Sequence, residues 1–106
     1  MRVYEKAIEM NEKVARLAGP IGRSSRGLLD QTQRAAMGVP LNIGEALGLA
    51  GGNREVRFRT ARGSAREVKA CLDVAAAWGC TAARDAEVEL AVNQVIGMLV
   101  NVVRAR

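Results

Sequence analysis

The chain has 106 residues, carries sixteen Lys or Arg against eleven Asp or Glu, and has a formal charge of +5 with no histidine. That length suits a single domain, residues 1–106, and the missing histidine removes the commonest general base and metal ligand, so no metal, cofactor or enzymatic role is predicted. A 49% apolar share excludes disorder, and with only Tyr4, Phe58 and Trp78 as aromatics the core must be built from Ala, Val and Leu, which suits packed helices and not sheets.

The first predicted helix runs from about Val3 to Ala18. Val3, Ala7, Met10, Val14 and Leu17 recur at alternating steps of four and three, the stripe of a bundle helix. Glu9 and Lys13, and Glu12 and Arg16, stand four apart on its outer face in the favourable order. Gly19 and Pro20 are expected to end it. Met1 to Met10 mixes Arg2, Glu5, Lys6 and Glu9 with apolar residues, which does not read as a signal peptide. No stretch approaches the roughly 20 apolar residues of a membrane span, so the expected location is the cytoplasm.

Ser24 or Ser25 can cap the second helix. Its inward stripe is Leu28, Thr32, Ala35, Val39, Ile43 and Ala46, with Pro40 in the middle. Pro40 cannot donate to the Ala36 carbonyl, so the segment is either one helix kinked there or two helices split at Gly38–Val39–Pro40. The continuing apolar phase favours the kinked helix. Gly48–Leu49–Ala50–Gly51–Gly52 lacks the pattern of a phosphate-binding P-loop and reads as a turn.

Asn53 is the expected cap of a third helix ending near Trp78 and Gly79, with Val56, Gly63, Ser64, Val68, Cys71, Leu72 and Ala75 inward. Cys71 reads as a buried small hydrophobe and Cys80 as a loop residue in a reducing compartment, with a helix-end disulfide as the alternative. The fourth helix, about Ala83 to Arg104, carries Val88, Val92, Val95, Leu99 and Val102, flanked by Ile96, Val100 and Val103 and by Ala91 and Met98. This apolar arc covers roughly 200°, against the ~100° that a bundle face needs. The surplus predicts self-association through Ile96, Val100 and Val103. Short loops predict an all-α, antiparallel up-down-up-down four-helix bundle with its second helix kinked at Pro40.

Candidate chemistry is sparse. Gln31 with Arg34, Asn42 with Glu45, and Ser64 with Glu67 stand one turn apart. They read as polar pairs that fix helix register, because nothing activates Ser64 as a nucleophile. The basic residues are more concentrated. Arg54, Arg57, Arg59, Arg62, Arg66 and Lys69 face only Glu55 and Glu67 in the same segment. Arg59, Arg62, Arg66 and Lys69 lie within about 80° on one helix face. Such a row can bind phosphate oxygens, and without interleaved aromatics it would follow backbone and shape. The alternative is a solvated charged face.

The run Leu28 to Glu67 contains Q-x-x-R-A-A, then P-L-N-I-G-E-A-L-G, then F-R-T-A-R-G-S-A-R-E. Gln31, Arg34, Ala35, Ala36, Pro40, Asn42, Ile43, Glu45, Gly48, Phe58, Ala61, Gly63, Ser64 and Glu67 match a known pattern. The chain thereby resembles the bacterial four-helix bundle family named for the 23S ribosomal RNA intervening-sequence protein, to which accessory proteins of diversity-generating retroelements are similar. Gly38 stands where serine is usual, Ala46 replaces a glycine, and Leu49 replaces a common basic residue. The resemblance implies homo-oligomers, often rings of five. In retroelement members it also implies binding of RNA or DNA and of a partner protein, a reverse transcriptase.

Overall fold

In the computed structural model, which describes residues 1–81 and 84–105, the apolar spacing of the N-terminus produces helix α1, Arg2–Ala15. Val3, Ala7, Met10 and Val14 are buried, and Glu9 pairs with Lys13 at 3.4 Å and with Lys6 at 3.1 Å. The Glu12–Arg16 pair expected beside them does not form. Arg16 turns instead to Glu87, 3.4 Å away, which Lys13 also approaches.

Gly19 and Pro20 do not end α1. They lie inside a short second helix, α2, Ala18–Ser24, so the described residues form five helices where the sequence predicted four. Pro20 is tolerated because first-turn amides have no acceptor within a helix, so its missing N–H sacrifices no bond there.

Helix α3, Arg26–Leu47, begins at Ser25, whose hydroxyl accepts the Leu28 amide at 3.1 Å. It continues through Pro40, so the two-helix alternative is overturned. The carbonyl that Pro40 leaves without a backbone donor is not orphaned. Asn11 of α1 donates its side-chain amide to Ala36 O at 2.8 Å, and to Ala7 O at 2.9 Å.

Helix α4, Gly51–Ala77, begins on Ala50, three residues before the predicted cap, with no side-chain cap. Gly51 takes φ 61° there, a conformation that only glycine adopts cheaply. At the other end Gly79, φ 69°, terminates the helix as expected. Its amide reaches Ala76 O and the Cys80 amide reaches Ala75 O, the paired bonds of a Schellman ending. Cys80 is folded inward by this turn, so both cysteines are buried and both are free.

The inward face of α4 is Phe58, Ala61, Ala65, Val68, Cys71, Leu72 and Ala75. This corrects the expectation for Val56, which is 59% exposed, for Gly63, which is open to solvent, and for Ser64, which is half-buried. Phe58, the largest apolar side chain in the segment, sets the rotation, because burying it gains most.

Helix α5, Ala86–Arg104, is capped by Asp85, whose carboxylate accepts the Glu87 and Val88 amides at 3.0 and 3.2 Å. Its predicted start, Ala83, lies outside the described residues. By length and composition α5 could cross a membrane, contrary to the sequence expectation. Its Val88, Val92, Val95, Leu99 and Val103 are packed into the core of the chain.

Helix α3 packs most extensively on α4, α4 on α5, α5 on α1, and α1 on α3, which closes a ring around one core. Helix α2 leans on α3. Alanines at 35, 36, 46, 61, 65 and 75 line the buried sides of α3 and α4, and small side chains let the two backbones approach.

Candidate nucleic-acid interface

The basic row stands on α4, and its rotation decides which cations are available. Arg54 lies half-buried with its guanidinium 5.5 Å from the centre of the Phe58 ring, a cation–π contact that anchors it to the core. Arg57 points toward α3, where its Nε donates to Glu45 at 3.0 Å and an Nη donates to Asn42 at 3.4 Å. Arg59 is held by Glu55 one turn earlier, at 2.7 Å. Arg62, Arg66 and Lys69 form no ion pair among the described residues. Arg66 and Lys69 are exposed and Arg62 is half-buried. On α3, Arg34 is likewise exposed and without an ion pair.

The six predicted residues therefore divide. Arg54 and Arg57 brace α4 against the core and α3. Arg59, Arg62, Arg66 and Lys69 face outward along about 15 Å of helix at 1.5 Å per residue. The Arg59–Glu55 pair is exposed, and exposed pairs contribute roughly 0–1 kcal/mol, so a phosphate can displace it.

The polar residues of the sequence pattern also divide. Asn42 and Glu45 meet Arg57 and fix α3 against α4; Asn42 also donates to Gly38 O at 2.7 Å. Ser64 sits against Gly38, where a Cβ would lie 3.0 Å from the Ser64 hydroxyl. Glycine at 38, in place of the usual serine, makes room for this contact. Gln31, Arg34, Gly63 and Glu67 are exposed and make no side-chain hydrogen bond across helices among the described residues, so the register role expected of those polar side chains falls to Asn42 and Glu45. Sequence reasoning missed Asn11, whose partner lies 25 residues away.

Of the predicted association residues, Val103 is buried in the chain's own core, while Ile96 and Val100 are half-buried, Ile96 packing on that core. Helix α5 packs between α1 and α4, which buries Val88, Val92, Val95, Leu99 and Val103 and leaves Ile96, Met98, Val100 and Val102 half-buried. Arg84 closes the α4–α5 end by donating to Asp73 at 2.7 Å and Glu89 at 3.1 Å. It holds the Asp73 carboxyl below its ordinary range. Burial pushes the Cys71 thiol up, which keeps it protonated.

The described residues thus define a small all-helical protein with one core and a basic outer helix. Residues 1–101 match the family model described as 23S rRNA-intervening sequence protein, and the chain belongs to that family. Neither the curated proteins nor the solved structures contain a match to it.

Proposed function

We propose that this chain works by binding and not by catalysis, as a self-associating helical module that holds the phosphate backbone of structured RNA or DNA along α4. The observation that supports this most is the row Arg59, Arg62, Arg66 and Lys69, of which three form no ion pair among the described residues. Guanidinium forks bind phosphate in a bidentate way, and a row of them tracks a backbone without reading bases. The family name, which refers to a segment within 23S rRNA, agrees with a nucleic-acid setting.

In this reading the four long helices alternate up and down. The contacts Asn11–Ala36, Arg57–Glu45, Arg84–Asp73 and Lys13–Glu87 are consistent with antiparallel neighbours throughout. The bundle associates into a ring, with five copies the number that the family resemblance implies. Free thiols suit a reducing cytoplasm.

The test is affinity for a structured RNA at about 50 and 200 mM salt, with wild type beside a folded variant carrying Glu at Arg59, Arg62, Arg66 and Lys69. Salt-sensitive binding lost in the variant supports the reading. Weak binding shared by both overturns it in favour of a scaffold for a partner protein, such as a reverse transcriptase.

A further inference from the structure

Seven of the large apolar side chains left in solvent lie on two opposite corners of the molecule. On α1 and α3, Tyr4, Ile8, Met37 and Leu41 are 37%, 39%, 53% and 67% exposed. They form one patch, because Asn11 reaches Ala36 and a Cβ on Gly44 would lie 3.8 Å from the Tyr4 ring. Ile8 falls between these anchors. Glu5 and Glu12, both exposed and without ion pairs among the described residues, border the patch on α1, and Arg34 borders it on α3.

Helix α4 sits diagonally across the ring of contacts from α1. Its outermost line is not charged. Val56, Gly63, Ala70 and Val74 fall within about 40° of one another at 100° per residue, and all four are exposed. Trp78, just past the helix, is 82% exposed. Arg59 and Arg66 border this stripe on one side and Glu67 on the other. This second apolar face is what gives α4 no single amphipathic phase.

We propose that the α1–α3 patch of one copy docks on the α4 stripe of the next. Glu5 and Glu12 then lie against Arg59 and Arg66 of that copy, and Arg34 against its Glu67. This rests on the self-association reading and adds which surfaces meet. Three features commit the occupant to a second copy. Both faces are apolar, the α1–α3 patch along about 6 Å of each helix and the α4 stripe along about 27 Å. The charges bordering them are opposite in sign along both edges. Each face lacks any cover of its own. Because the two faces differ, the contact is heterologous, and it propagates from copy to copy, closing to a ring where the rotation allows. Lys69 lies on the α5 side of α4, near Asp73, Glu89 and Asn93, with Arg62 within about 20° of it on the helix, and both stay outside the contact with their charges free for phosphate.

Light scattering tests this on wild type, on Leu41→Glu, on Val74→Glu and on an equal mixture of the two variants, with helicity checked by circular dichroism. Wild type is expected as a multimer of the 11.3 kDa chain and each variant as a monomer. The mixture is expected to give dimers of twice that mass, since each variant keeps the face the other lacks. A monomeric wild type overturns the self-association reading itself. A multimeric wild type with either variant still multimeric, or a mixture that stays monomeric, overturns only the assignment of these two faces.

Discussion

Replacing Asn11 with Ala removes the one donor that serves the carbonyl Pro40 cannot. Ala7 O keeps the backbone amide of its own helix, so its loss matters little, and the cost falls on Ala36 O, bonded at 2.8 Å. Stranding a buried carbonyl costs about 1–3 kcal/mol. Asn11 is half-buried, so water can partly replace it and the expected loss is about 1–2 kcal/mol. For a domain of this size that lowers Tm by about 4–16 °C. The mechanism is tested by a cycle with Pro40→Ala, which restores an amide donor to Ala36 O. In that background Asn11→Ala should cost about 1 kcal/mol less. Urea unfolding followed by circular dichroism reads both, at one protein concentration, since association adds its own stability. Losses that add to within about 0.3–0.5 kcal/mol would show that Asn11 does not serve the proline carbonyl.

Gly97→Ala should stabilise by about 1 kcal/mol, since an added Cβ on this exposed helical glycine meets nothing. Gly38→Ala should lose that gain against the Ser64 hydroxyl, and Ser64→Ala should restore it; equal effects of the two glycine changes on urea midpoints would contradict the close α3–α4 contact. Phe58→Ala should cost about 3–5 kcal/mol by the same measurement, because this fully buried ring sets the rotation of α4. Asp73 has a depressed folded-state pKa through Arg84, so its contribution is present above the unfolded carboxylate value of about 4 and is lost as pH falls through the lower folded value. Arg84→Gln should therefore flatten the loss of stability between pH 5 and pH 2 as read by urea midpoints; an unchanged acid limb would refute it.

The parts of the fold that follow from local spacing were readable in the sequence. The α1 stripe, the Ser25 cap and the Gly79 stop depend on residues within a turn or two of each other. Asp85 carried a readable signal as well, three residues before Val88. The rotation of α4 was not readable by periodicity, because Phe58–Ala61–Ala65–Val68 and Val56–Gly63–Ala70–Val74 are both helical stripes on opposite faces. Only the tertiary benefit of burying Phe58 selects between them. The basic row was evident from its spacing. That Arg57 is drawn aside to Glu45 and Asn42 depends on how α3 and α4 are set against each other, which no local pattern encodes. The wide arc of α5 was read correctly as apolar. Which part of it is buried follows from the two neighbouring helices, a fact of packing and not of sequence.

The salt dependence of binding to a structured RNA tests the central claim most directly. Each phosphate neutralised contributes roughly 0.7–0.9 to the slope of log affinity against log salt. Replacing Arg62 and Lys69 with Gln should flatten that slope by about 1–2. Arg57→Gln should change it little, because that guanidinium is already tied to Glu45 and Asn42. A slope that the double variant leaves unchanged would contradict phosphate recognition along α4.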